Sequence, residues 1–292
     1  MKAVATEAPL EAQAARRRRT RTIGHVAPMV LLLVLAALYL LPFVWMVTTA
    51  FKTEPQSIAS PPVVIPNPPV FSAFPEAISK MNFAGALGNT LFYAVTAMVG
   101  TLISCSLVAY GFAIVKWPGR DIVFVFVLAT MMLPTQVTLI PLYVIYAKLG
   151  WINTYLPLII PAFLGTPFFI FLLRQFFRGI PRDLIDAARI DGASDLRILT
   201  RIVVPLSKPA LITVGLLTFI DKWNDFYGPL IYLQKPELRP LALALQVFQA
   251  AHQTQWPQMM AASVLIAAPL VVIYFVAQRW FIEGITLTGT KG

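Results

Sequence analysis

Four polar residues, Asp221, Lys222, Asn224 and Asp225, stand inside a stretch that is otherwise apolar enough to cross a bilayer. A charged side chain at mid-bilayer costs about 2.5–3.5 kcal/mol on insertion scales, so such groups face a bundle interior or an aqueous cavity. On one continuous helix Asp221 and Asp225 share a face, and Lys222 and Asp225, three apart, can pair. Two readings stay open. The group is a polar lining for a solute, with Trp223 or Tyr227 offering a ring to stack on, or it is an ion pair to a neighbouring span. Gln136, next to Pro134, is a similar candidate, either lining a path or hydrogen-bonding between helices.

Other chemistries find little support. Neither Asp183 with Asp186 nor Asp191 with Asp195 has the buried surroundings that separate the two members of an acid–base pair. Cys105 is the single cysteine, and His25 and His252 are far apart with no companions at ligand spacing. The chain contains no G-x-x-x-x-G-K-[ST] sequence, so it has no P-loop for a nucleotide. No catalytic residue, metal ligand or cofactor is therefore expected in this chain. Met131, Met132, Met259 and Met260 read as packing residues.

The elements that must hold these groups are membrane spans. Hydrophobic residues make up 58% of the 292 and charged ones 12%, where a soluble chain carries about 25%. The mean hydropathy is +0.74. The fold class expected is an all-α polytopic membrane protein of six transmembrane helices. A net charge of +10 invites a nucleic-acid reading, but the charges gather at the ends of apolar runs, so topology explains them and no nucleic-acid partner is expected.

In chain order, residues 1–26 form a basic segment with Arg16, Arg17, Arg18, Arg19 and Arg21. Ala27–Val47 is long enough for a first span rather than a signal peptide. The proline-rich stretch 50–86 reads as an ordered external loop, with a short amphipathic helix around Phe74–Met81. Span two is expected at Leu87–Val115, with Gly88, Gly100, Ala109 and Gly111 for close packing. Lys116–Arg120 makes a tight turn, and span three follows at Ile122–Ile140, bent or ended by Pro134 and Pro141. An external loop Tyr143–Thr154 leads to span four at Tyr155–Leu173. Span five is placed at Pro209–Leu233, an external loop at Gln234–Gln258, span six at Met259–Phe281, and a tail at 283–292. The spans occupy 27–282. Of the lysines and arginines, seventeen fall on the side of the termini and five on the other. That bias satisfies six spans with both ends in the cytoplasm of a plasma or inner membrane.

Between spans four and five, about 174–208, lies the longest polar segment inside the apolar chain. Leu184, Ile185, Ala188 and Ile190 suit a short helix with a small apolar face. Asp191-Gly192 reads as a turn, because glycine accepts positive φ at little cost. Ser194 or Asp195 can cap a second helix carrying Leu196, Leu199, Ile202 and Val203 at helical spacing. Ala187 and Ala188 let another surface approach the backbone. A charged, small-faced helix–turn–helix outside the membrane is built to be held by a partner.

This segment resembles the EAA loop of ABC-transporter permeases: Glu-Ala-Ala, three residues, Gly, nine residues, Ile-x-Leu-Pro. Here it stands as Asp186-Ala187-Ala188, Gly192, then Ile202-Val203-Val204-Pro205. Asp replaces the usual Glu and Val204 the usual Leu, and both keep the chemistry. With Met132–Leu142, Trp223-Asn224-Asp225-Phe226 and the Gly284…Lys291-Gly292 ending, the chain is similar to the shorter, six-span partner of carbohydrate-importing permeases of the maltose-system type. The resemblance implies a second homologous permease and two ATPase subunits that bind the ATP and Mg. It also implies an extracytoplasmic solute-binding protein, with membrane lipid around the assembly. It assigns ATPase coupling to Asp186, Ala187, Ala188, Asp191, Gly192, Ala193 and Pro205. Gln136, Trp223, Asn224, Asp225 and Tyr227 become candidates for the path of a sugar or polyol. A secondary transporter without an ATPase is the alternative. It would spread ionisable residues over two repeats, whereas here they concentrate in span five.

Overall fold

The computed structural model describes residues 8–249 and 254–289. His252 and the Lys291-Gly292 ending lie outside them. The described residues form an all-helical fold, with one isolated antiparallel bridge between Gln249 and Thr254. We label the longer helices α1 (Ala8–Thr49), α2 (Ala73–Lys80), α3 (Phe83–Ala113), α4 (Arg120–Ala129), α5 (Thr135–Lys148), α6 (Pro167–Arg178), α7 (Arg182–Ile190), α8 (Lys208–Trp223), α9 (Tyr227–Tyr232) and α10 (Trp256–Gly289). Four stretches are long and apolar enough to cross a membrane: Pro28–Thr49, Phe83–Ala113, Leu156–Arg178 and Trp256–Val276. The number rises to six if each of two bent helix pairs is one span.

A proline explains the sharper of the two bends. The first bent pair, Arg120–Met132 and Thr135–Lys148, turns through 96°. A proline pushes the residue before it out of the helical region, and Leu133 is extended at φ −79°, ψ 116° in front of Pro134. Pro141, expected to bend or end the same span, instead sits inside α5, which continues to Lys148. The loop expected from Tyr143 therefore starts about two turns later. The short helix expected around Phe74–Met81 is α2, whose Ala73 and Ala77 are buried.

Span five departs most from expectation. It is not one helix from Pro209 to Leu233: α8 stops at Trp223 and α9 begins at Tyr227. At 1.5 Å per residue, the 16 residues of α8 reach only about 24 Å, short of a hydrocarbon core of about 30 Å. The polar quartet therefore stands at the end of α8 and in a break, not midway along a continuous helix.

Three buried clusters hold these elements together. One joins α3, α6 and α8 to the polar segment that follows α6, around Phe177, Ile198, Val203 and Val214. The second joins the end of α1, α2, α8 and α10 around Trp223, Phe248 and Ala261. The third sets Tyr93 and Ala97 of α3 against Tyr146, Leu158 and Tyr232. Gly100 belongs to this close packing, since a methyl group there would lie 2.6 Å from the Phe163 ring. Gly88 and Gly111 do not, because nothing lies within 4 Å of theirs.

Of the segment expected as an external loop, Gln234–Gln258, the described part from 234 to 249 is folded inward. Leu241, Leu243 and Phe248 are buried. The Leu241 amide donates to Thr90 Oγ1 at 2.8 Å, and Asn89 Nδ2 donates to the carbonyls of Glu237 at 2.7 Å and Arg239 at 3.2 Å. At its far end Lys80 Nζ donates to Gln255 Oε1 at 2.6 Å and Gln258 Nε2 to Glu76 Oε2 at 2.9 Å. The bond from Gln258 holds the Glu76 carboxyl below its usual pKa.

Candidate functional site

The polar segment after α6 begins with α7, nine residues with Asp183 in the first turn and Arg189 in the last. Both charges complement the helix dipole. The helix closes with a Schellman turn: the amide of Ala193 donates to Ala188 O at 2.9 Å and that of Gly192 to Arg189 O at 3.0 Å. Gly192 has φ +76°, and a methyl group added there would meet nothing within 4 Å. Backbone conformation alone, not crowding, therefore demands glycine. Ser194 is the cap of the next helix, its hydroxyl accepting from the Arg197 amide at 3.4 Å.

Asp195–Ile198 continues into a π turn at Leu199–Val203 and then Val204–Leu206. Pro205 has no N–H to give and its ring crowds the carbonyl a turn back, so it follows the wider turn. This segment meets α8 at 85°. The two short helices and Gly192 thus make an elbow between α6 and α8.

One side of the elbow is anchored and the other is free. Ile185, Ile198, Leu199 and Val203 are buried in the first cluster, each contributing up to roughly 1.5–3 kcal/mol. Ala188 and Ala193 pack against the same cluster. The two alanines therefore divide: Ala187 is exposed, and Ala188 supports the elbow from below. Asp186, Asp191 and Gly192 are also exposed, as is Pro205. The small apolar face expected of α7 is split: Ile185 is buried, while Ile190 is 86% exposed, with Leu184 and Leu196 also outside. Such apolar groups beside small and acidic ones fit a partner surface.

Two braces were not foreseen. Asp195 Oδ1 accepts from Tyr110 OH of α3 at 2.8 Å and lies 3.4 Å from Arg189 Nη2, while Arg189 Nη1 lies 3.8 Å from Asp186. Arg174 of α6 is buried; its Nη2 donates to Asp121 Oδ1 at 2.8 Å and its Nε to Phe112 O at 3.2 Å. Its guanidinium lies 4.0 Å from the Phe124 ring centroid. In the sequence Arg174 is one of seven cations between spans four and five, and only its place just inside the apolar run set it apart.

The groups considered for a solute path separate into two kinds. Asp225 is engaged on both oxygens, accepting from Tyr93 OH at 2.6 Å and from the Gly228 amide at 3.0 Å. A methyl group at Gly228 would fall 2.7 Å from Asp225 Oδ2, so the close approach needs glycine. Lys222 pairs with Asp221 at 2.9 Å, not with Asp225 as the helical spacing suggested. Trp223, read as a ring for a solute, is 2% exposed, with Nε1 donating to Ile266 O at 3.2 Å. Its ring packs α8 against α10 instead. Asn224 is exposed at the break and donates to Ile220 O at 2.8 Å. Tyr227 is 75% exposed. Gln136 is exposed at the start of α5, a separate element.

A multi-pass helical chain with an anchored, outward-facing elbow and polar groups at a broken helix is built like a transport permease. Residues 106–286 match the binding-protein-dependent transport system inner membrane component family, and the chain belongs to that family. It is 33% identical to the trehalose/maltose transport system permease protein of Thermococcus litoralis, over 89% of this chain and 94% of that one. It is 36% identical to the arabinooligosaccharides transport system permease protein of Bacillus subtilis, over 70% and 72% of the two chains. Among solved structures, a bacterial ABC transporter involved in the import of the acidic polysaccharide alginate matches with a TM-score of 0.80 and 27% identity. That match covers 90% of this chain and 98% of the other. The family consists of membrane components of importers, not enzymes.

Proposed function

We propose that this chain is one of two permease subunits of an ATP-driven importer for a sugar or related polyol, and that the elbow at about 174–208 is its handle for an ATPase subunit. One observation carries the reading: α7 exposes Asp186, Ala187 and Ile190 while Ile185, Ile198 and Val203 root it in the cluster shared by α3, α6 and α8. A push on the exposed side is thereby delivered to three membrane helices at once. The relatives named above handle saccharides, which supports a sugar or polyol as cargo.

In this reading six spans cross the plasma or inner membrane with both termini in the cytoplasm, the side to which seventeen lysines and arginines fall against five. A second homologous permease completes the path, and two ATPase subunits hold the ATP and Mg. An extracytoplasmic binding protein delivers the solute. Asp221, Asn224, Tyr227 and Gln136 are the exposed polar groups available to the path, while Trp223 and Asp225 position the break.

The test is co-purification of the chain from its native membrane followed by uptake in vesicles with and without internal ATP. An ATPase subunit in stoichiometric amount and uptake that requires ATP are expected. Uptake driven by an ion gradient without any ATPase bound would establish a secondary transporter instead.

A further inference from the structure

Below the elbow, the last turn of α6, the α3–α4 turn and the start of α7 enclose a cleft of about 420 Å³. Lys116, Arg120, Arg178, Arg182 and Arg189 line it, with Asp186 as the one carboxylate. Arg189 is paired with Asp186 and Asp195, and Arg120 lies beside Asp121. Lys116, Arg178 and Arg182 have no carboxylate within 4.0 Å among the described residues. Five cations around one cleft are a strong attraction for an anion.

Two features say which anion. The cleft lies where the apolar stretches Phe83–Ala113 and Leu156–Arg178 both end, which is the depth of the headgroups. Directly beyond Arg120, α4 presents Ile122, Val125 and Phe126 at 66%, 62% and 68% exposure. Trp117, next to Lys116 in the chain and 37% exposed, is a residue type that gathers at membrane–water interfaces. A charged seat joined to an exposed apolar helix face matches a molecule with an anionic head and hydrocarbon tails. Basic pockets between transmembrane helices on the cytoplasmic side are suited to such headgroups.

We propose that this cleft is a binding site for an anionic phospholipid. Its phosphate is held by Lys116, Arg178 and Arg182, and its acyl chains lie along α4. The bound lipid would tie the α3–α4 turn to the root of the elbow.

The assembled complex, solubilised in a neutral detergent, is titrated with fluorescent phosphatidylglycerol, with phosphatidylcholine and inorganic phosphate as competitors. A cation near such a surface is worth about 1 kcal/mol, or about fivefold in affinity. The combined variant Lys116→Gln, Arg178→Gln, Arg182→Gln is therefore expected to bind on the order of 100-fold more weakly. The charge-keeping variant Lys116→Arg, Arg178→Lys, Arg182→Lys is expected to stay within a few fold of the native chain, which separates lost charge from lost assembly. Arg201→Gln with Lys208→Gln, outside the cleft, is expected to leave binding unchanged. Native affinity in the three-glutamine variant would overturn the proposal, and so would an equal loss in the outer pair. Displacement of the lipid by phosphate at matching concentration would reduce the site to a simple anion site. Binding that appears only after the ATPase subunits are stripped away would assign the cleft to a protein contact instead.

Discussion

Asp225 shows how a residue placed for chemistry by its sequence context can be claimed by architecture. One oxygen takes the Gly228 amide at the start of α9 and the other the Tyr93 hydroxyl of α3. Removing the carboxylate leaves Tyr93, 1% exposed, without its partner. Hydrogen bonds to charged groups are worth about 1.5–3 kcal/mol, so Asp225→Ala is expected to lower stability by about that much. Asp225→Asn keeps an acceptor and loses less. Asn224 makes one local bond at the break and is otherwise open. Asn224→Leu should therefore lower solute uptake with assembly and melting temperature unchanged. Thermal melts of the purified complex alongside uptake separate the two residues. Matching losses of stability in both would merge their roles.

At the scale of elements, much of the elbow was legible because its signals are local. The Asp-Gly pair predicts the positive φ at Gly192, and Ser194 three residues before the Arg197 amide predicts a cap. What was not legible is which alanine faces outward, since the phase of a two-turn helix depends on what it packs against. The break after Trp223 left a signal that composition masked. Gly228-Pro229 marks a helix start, because a proline near the first turn gives up an amide that has no partner anyway. The apolar residues on both sides nevertheless read as one span. The fold of residues 234–249 was hidden for a similar reason. Pro236 and Pro240 suggest a loop, while Leu241, Leu243 and Phe248 are buried by contacts distant in sequence. Arg174 ties α6 to the carbonyl of Phe112 and to Asp121. Arg174→Met removes both bonds and the stacking on Phe124. It is expected to destabilise by on the order of 2 kcal/mol and to weaken coupling, read as less ATP hydrolysed in response to loaded binding protein. A variant with native melting and native stimulation would remove Arg174 from the elbow's support.

At the scale of the whole molecule, apolar surface is distributed as an assembly requires. Leu32, Tyr39 and Leu41 of α1 are 66%, 78% and 62% exposed, an arrangement suited to lipid or a partner chain and not to water. The polar break and the elbow stand at the two ends of α8, which enters the first and the second buried clusters alike. In the proposed reading, one rigid helix thus joins the place where force would be received to the place where a solute would be met. The direct test of that account is ATP hydrolysis stimulated by loaded binding protein, measured with uptake in the reconstituted complex. Two variants are compared with the native chain: Gly192→Val, whose backbone strain is roughly 1–3 kcal/mol, and Ala187→Trp, which places a large ring on the exposed side of α7. Gly192→Asn, a residue that accepts positive φ, serves as the tolerated control. Loss of both stimulation and uptake in Gly192→Val, release of the ATPase in Ala187→Trp, and near-native function in Gly192→Asn are predicted. Native stimulation in Gly192→Val with the ATPase still bound in Ala187→Trp would contradict the elbow as the coupling element.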